Sequence, residues 1–283
     1  MSPRVIIDGG RCTGVEYSVG TGGVIAACTE EVVLAAGVVG SAQLPLLSGI
    51  GPPAHLRDVG VDVVVDLAGV GANLHDHPMS SVVYSAGRPM APGRHNHGEA
   101  CGLVRSDVAS DVLDLQILFV SCPYHNPAML GAEAGYSIAF SVMDPYSRGA
   151  VQLASADPAA APLVDPGYYT DERDLQVMVT GLRIAREIGT ATALDPWRGE
   201  EVLPGPGVRD DDGARDYLRM NLLPYFHGVG TCRIGAVVDP DLTVYGVDGL
   251  RVADASVMPS IVSANTQATV YAIAERAAVL LAG

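Results

Sequence analysis

Long apolar runs are missing from this 283-residue chain. None approaches the ~20 residues that span a bilayer, which excludes an ordinary transmembrane helix. Positive charge is scarce too: 17 Lys and Arg stand against 32 Asp and Glu, for a formal net charge of −15. A surface of that sign repels phosphate groups, which argues against nucleic acid or an anionic membrane surface as partner. The five cysteines are odd in number and loosely spaced, which gives no disulfide framework and suits a reducing cytoplasm. The opening MSPRVIIDGG lacks the apolar core of a signal peptide, so the expected location is cytoplasmic. No GxSxG elbow is present, which excludes that route to a serine hydrolase. His75 and His77, and again His95 and His97, alternate as the ligands of a metal pair do, but carboxylate or cysteine partners at ligand spacing are lacking. They read as hydrogen-bonded loop histidines, with no metal. There is no internal repeat and no low-complexity tail.

What is present is enough chain for one large or two moderate domains. Residues 4–8, 14–18 and 24–28 are short alternating segments between Gly-rich turns and predict a three-stranded meander. EVVLAAG follows, fully apolar from Val32 to Ala35, as a parallel strand reads when both its faces are covered. Ser41 then offers an N-cap for a short helix ending near Gly49, with Pro45 tolerable only close to its first turn. From about Met79 the texture changes. VLDLQILFVS, GYSIAFSVM and RGAVQLAS read as strands of an antiparallel sheet. A helix should run from an Asp171 cap to Gly189, with Leu175, Met178, Val179 and Leu182 on one stripe. The acidic run 210–212 reads as a solvated loop.

The last sixty residues carry the chemistry. A histidine lies among glycines in YFHGVGTCRIG, with Cys232 read as buried and structural. GLRVADAS is a strand, 250–253, delivering Asp254 to the C-terminal edge of a sheet, where ligands gather in open α/β folds. Val270, Ile273, Ala274, Ala277 and Leu281 then recur at helical spacing behind a polar start at Ser263, Asn265 and Thr266. A helix N-terminus of that kind favours partial negative charge. By pattern alone Asn265 is a helix cap, and His227 reads first as a hydrogen-bonded loop histidine.

HGVGTCRIG, VVDPDLTVYGVDGLRVADASVMP and the SANTQ-to-AERAA helix resemble the C-terminal end of the glucose–methanol–choline (GMC) oxidoreductases, flavin enzymes that oxidise alcohols. The strand–helix–SGIGP stretch near Gly49 resembles the family's second signature, with Ala42 where proline is usual and Pro45 where an aliphatic is usual. GVGANLHDHP, RGAVQLAS and DPGYYTDERD resemble later family phrases, so the likeness runs through the whole chain. It implies an α/β (α+β) fold: a partial, Rossmann-like FAD-binding domain from residues 1–78 and 222–283, and an antiparallel-sheet substrate domain, 79–221, inserted between.

The resemblance also implies roles. His227 matches the catalytic histidine, expected to take the hydroxyl proton as hydride leaves for the flavin, and titration near neutrality suits that step. Gly228 and Gly230 would let the backbone approach a flat ring closely. Asn265 stands where relatives carry His or Asn and would hydrogen-bond the substrate oxygen. Asp254, Ala255 and Thr266, with Asn265, would contact FAD. A strand–GxGxxG–helix for the FAD pyrophosphate is absent: Gly20–Gly23 precedes a strand, and Gly69–Gly71 lies in a loop. The expectation is therefore the C-terminal portion of a choline- or alcohol-dehydrogenase-like enzyme, acting on a small alcohol with an unnamed electron acceptor. The alternative is a fragment or partner subunit, inactive alone, whose missing N-terminal half another chain supplies.

Overall fold

A computed structural model describes residues 4–19, 22–28, 30–90, 93–108 and 111–283. The chain opens with β1 (Arg4–Asp8), β2 (Arg11–Val19) and β3 (Gly22–Ala27), then β4 (Val32–Leu34) and α1 (Gly37–Leu47). Short pieces follow: β5 (Ile50–Gly51), α2 (Pro53–Asp58), β6 (Val65–Asp66) and β7 (Ala72–Leu74). Four longer strands come next, β8 (Pro78–Ala86), β9 (Gly98–Val104), β10 (Leu115–Val120) and β11 (Gly135–Val142), then β12 (Gly149–Gln152) and β13 (Leu163–Asp165). The remainder is α3 (Glu172–Gly189), β14 (Arg198–Leu203), α4 (Asp211–Met220), β15 (Leu223–Pro224), β16 (Leu250–Val252) and α5 (Gln267–Ala282). Among the described residues no helix is long and apolar enough to cross a membrane.

The chain divides into two compact units. The first gathers residues 1–75, 148–167 and 227–283. Its meander β1–β2–β3 forms as the alternation foretold. The apolar run at Val32 becomes β4, which pairs in parallel with β16, Val33 opposite Arg251. Leu46, Ile50, Leu74, Val151, Leu250 and Val252 meet in the core. The second unit, residues 76–147 and 168–226, is built on an antiparallel sheet in the order β14-β8-β11-β10-β9, with β15 also on β8. The expected stripe of α3 is its other layer: Leu175, Met178, Val179 and Leu182 bury with Leu115, Ile138 and Phe140. Each such side chain contributes roughly 1.5–3 kcal/mol by leaving water. Asp171 caps α3, its carboxylate accepting from Arg173 N at 3.0 Å.

Four expectations need correcting. RGAVQLAS does not join the large sheet. Its strand, β12, pairs with β7 and β13 in a separate three-stranded sheet of the first unit, because Gly149 and Ala150 meet Leu74 and Ala72. Strand periodicity fixes faces and leaves the partner open. Ser41 is no cap: α1 starts four residues earlier, at Gly37, and Ser41 is buried mid-helix. Pro45 accordingly sits in the last turns of α1, where it withholds the N–H that would bond the Ser41 carbonyl. The Cys232 thiol donates to that carbonyl instead, at 3.2 Å.

The acidic run at 210–212 is the start of α4, not a loop. Asp210 accepts from Gly213 N at 2.9 Å, and Asp211 and Asp212 occupy the first turn, where the helix dipole favours negative charge. Finally, α5 begins at Gln267, so Asn265 precedes the helix rather than opening it. Of the apolar stripe named in the sequence only Ala277 is buried, while Leu281 is exposed and Val270 and Ile273 are half-buried.

Candidate active site

A pinned strand-like segment, 229–234, holds the histidine in place. On one side Val229 exchanges backbone hydrogen bonds with His75, both at 3.0 Å, and Gly71 N donates to Thr231 O at 2.9 Å. On the other side Cys232 N and Ile234 N donate to Ser256 O and Val257 O at 2.8 and 2.9 Å. The Thr231 hydroxyl donates to the Val38 carbonyl of α1 at 2.6 Å. Within this corset Gly230 has a φ of 97°, and a Cβ there would fall 2.5 Å from the Asn73 carbonyl oxygen. At Gly228 it would meet Val38 at 2.9 Å. Both glycines therefore serve close contacts within the chain itself.

Asp254 follows β16, and its side chain is fully engaged. One oxygen accepts from Gly37 N at 2.9 Å and from the Ser41 hydroxyl; the other accepts from Ser256 N at 2.8 Å. The carboxylate thereby ties the end of β16 to the start of α1, across more than 200 residues of sequence. Ala255 continues into a 3-10 turn, Ala255–Val257, and its carbonyl accepts from Gly230 N at 3.4 Å. Thr266 is buried at the N-cap position of α5, but its side chain gives the helix no capping bond.

Two of the named residues come together. Asn265 Nδ2 lies 3.4 Å from His227 Nε2, although 38 residues separate them. His227 is half-buried and Asn265 exposed, so a small molecule can reach both. At that spacing one hydroxyl group can donate to the imidazole while its oxygen accepts from the amide. Cys232 is buried, and burial pushes its thiol up to about 12, which leaves it unreactive.

The paired histidines behave separately. His75 is wholly buried, held by Nδ1 against the Asn73 carbonyl at 2.7 Å, and burial with the nearby Arg148 charge lowers it to about 4. His97 instead bonds the Ser121 hydroxyl at 3.1 Å. Among the described residues no group of three His, Cys, Asp or Glu is placed to hold a metal ion.

Sequence reasoning passed over one residue beside His227. Phe226 has a φ of 60°, which a bulky side chain rarely adopts, and the residue is 82% exposed. Its neighbours in the sequence, Tyr225 and His227, gave no signal of that backbone.

Two family models, both described as GMC oxidoreductase, match residues 1–79 and 145–274. The chain belongs to the GMC oxidoreductase family. This GMC chain is 41% identical over 285 residues to choline oxidase from Arthrobacter globiformis, covering 96% of the chain and 52% of that protein. It is 35% identical to the oxygen-dependent choline dehydrogenase of Pseudomonas aeruginosa, covering 98% of the chain and 55% of the relative. Among solved structures, pyridoxine 4-oxidase from Mesorbium loti superposes with a TM-score of 0.93 at 30% identity, over 98% of this chain and 56% of that one. The chain thus spans little more than half the length of the relatives it matches. The GMC oxidoreductases are FAD flavoproteins, and the mixed helix-and-sheet fold seen here is part of their FAD-binding architecture.

Proposed function

We propose that this chain carries the reacting half of an FAD-dependent alcohol oxidoreductase, with His227 as the proton acceptor. The observation that carries the reading is the juxtaposition of His227 and Asn265 at an accessible edge, just before the N-terminus of a 16-residue helix. FAD, when bound, supplies the acceptor for a hydride from the alcohol carbon. The residues fit a flavin ring edge: the start of α5 takes no capping bond from Thr266, and its dipole favours the negative charge a reduced flavin gathers. Ala255, Asn265 and Thr266 are the groups that would line it, with Asp254 fixing the turn at Ala255 through its bond from Ser256 N.

His227 then takes the hydroxyl proton on Nε2 as the carbon–hydrogen pair departs, leaving a carbonyl product. Asn265 donates to the same oxygen and steadies the charge that builds on it. Residues 1–78 and 222–283 are read as the flavin-holding part and 79–221 as the substrate-binding part, although 148–167 pack in the first unit and 222–226 in the second. The test is anaerobic: FAD-loaded protein is mixed with an alcohol and the loss of oxidised-flavin absorbance followed. Alcohol-dependent bleaching supports the reading. A flavin that no alcohol reduces ends it.

A second reading is favoured by separate observations. The parallel sheet β4–β16 has two strands, and α5 leaves Tyr271 and Val279 exposed, surfaces that parallel sheets and amphipathic helices normally cover. On that reading the chain works only with the polypeptide that supplies the pyrophosphate loop. Titration of the chain with FAD separates the two: weak binding and a colourless preparation favour the second, and stoichiometric yellow protein rules it out.

A further inference from the structure

Within the second unit a cavity of about 340 Å³ opens between the face of the large sheet and the segment leading to His227. Its volume is at the small end of the roughly 300–1,000 Å³ usual for ligand pockets, so its occupant is small. Met79 on β8, Leu118 and Val120 on β10, and the rings of Tyr124, Tyr225 and Phe226 form its walls. No Asp, Glu, Lys or Arg is among its described lining residues, and His97 supplies the one imidazole.

The aromatic wall is built, not incidental. Tyr225 N donates to His77 O at 3.2 Å, its hydroxyl donates to Gln116 Oε1 at 2.6 Å, and its ring meets His77 edge-on at 6.4 Å. Phe226 follows in a left-handed conformation with its ring at the cavity and largely in solvent. A strained backbone that presents an exposed ring persists where the surroundings over-determine it, and such positions cluster at ligand sites. Glu99, next to lining residue Gly98, is committed elsewhere: its Oε1 accepts from Arg94 N at 2.7 Å and from the Ser121 hydroxyl at 3.4 Å.

We propose that this cavity receives the carbon skeleton of a neutral, apolar primary alcohol with a branched or aromatic end, and that Phe226 determines that selectivity. The proposal rests on the reading of His227, the next residue, as the acceptor of the hydroxyl proton. It departs from the choline named in the relatives, because the described lining of the cavity offers no carboxylate to a quaternary ammonium. A buried cation without a counter-charge loses its water and gains only ring faces in return, whereas an apolar group gains from the same burial. The chain's charge of −15 draws cations from a distance, but that is a salt-sensitive encounter effect and not a site.

The test pairs choline with 3,3-dimethylbutan-1-ol, its neutral isostere, in which carbon replaces the ammonium nitrogen. Binding of each to the full chain is measured by calorimetry or saturation-transfer NMR at about 0.3 M salt, where long-range attraction is screened. The neutral alcohol should bind at least about tenfold tighter. Phe226→Ala, at an exposed position, should weaken it roughly fivefold or more. Leu118→Glu, at a half-buried position, should reverse the order by adding the missing counter-charge. Equal or tighter binding of choline by the parent overturns the proposal, as does binding of neither alcohol or no effect of Phe226→Ala. If Leu118→Glu does not fold, the parent ratio and Phe226→Ala still decide. Because the readout is binding, a chain that prefers the isostere yet never reduces FAD sinks the role of His227 and leaves the cavity assignment standing.

Discussion

Replacing Asp254 by Asn should unlock the first unit without removing any apolar contact. The carboxylate is 8% exposed and accepts from Gly37 N, the Ser41 hydroxyl and Ser256 N. An amide keeps one acceptor oxygen. With that oxygen toward Gly37 and Ser41, its NH₂ faces the Ser256 N–H, donor against donor. A buried donor left unpaired costs about 1–3 kcal/mol, and lost hydrogen bonds to a charged group about 1.5–3 kcal/mol each. The expected total is about 2–4 kcal/mol, a large part of an ordinary domain's 5–15 kcal/mol.

In a chain of this size each kcal/mol moves Tm by roughly 2–4 °C, so a 3 kcal/mol loss reads as a fall of about 6–12 °C. Ser41→Ala is the companion variant, since Ser41 also accepts from Ala36 N at 3.0 Å. The two should be less than additive, because they share one bond. The assay is thermal melting by far-UV circular dichroism without added flavin, which keeps stability apart from cofactor binding. An Asp254→Asn protein melting within about 2 °C of the parent, less than 1 kcal/mol on that scale, would refute the argument that this carboxylate fastens β16 to α1.

Other outcomes follow from the same geometry. His75 is lowered to about 4 from an ordinary 6.5, so the unfolded chain takes a proton that the folded chain refuses between those values. Stability should therefore fall as pH drops through that window, by up to about 1.4 kcal/mol per unit, and His75→Gln should flatten the profile of urea midpoints; an unchanged slope rejects the assignment. Maleimide at pH 8 should label the exposed Cys101 and spare the buried Cys232 until urea is added, as mass spectrometry of the peptides will tell. Gly230→Ala forces a side chain at φ 97° and 2.5 Å from Asn73 O. It should cost at least about 2 kcal/mol in urea unfolding, and parental stability would reject the packing described for that segment.

Local pattern carried much of this fold into view. The run at Val32 is a strand because nothing polar interrupts it, Leu250 and Val252 bury on either side of Arg251 in the strand that pairs with it, and the α3 stripe is buried because it repeats at the helical period. His227 and Asn265 could be named from their motifs, and the structure places them 3.4 Å apart. What stayed hidden were choices of partner. RGAVQLAS alternates as well for one sheet as for another, and its place beside β7 depends on where Leu74 lies in space. Ser41 looks like a helix cap until Asp254, 213 residues away, is seen to accept its hydroxyl. The acidic run at 210–212 reads as a loop because Asp is a poor helix former, yet in the first turn of α4 its charge meets the helix dipole favourably. Phe226 gave no warning, since a left-handed φ at a bulky residue is imposed by surroundings and not by local preference.

The most direct measurement of the central claim is a double-variant cycle on flavin reduction, followed by anaerobic stopped flow in the protein completed with FAD. His227→Ala should slow reduction by the alcohol about 10²–10⁴-fold, some 3–5 kcal/mol of barrier, with FAD affinity little changed. Asn265→Ala should cost less, because it removes one hydrogen bond and leaves the proton acceptor, and Asn265→His should be milder still. If both side chains act on one hydroxyl, the double variant should be scarcely slower than His227→Ala alone. Reduction at the parental rate in His227→Ala, or fully additive losses in the double variant, would contradict the account.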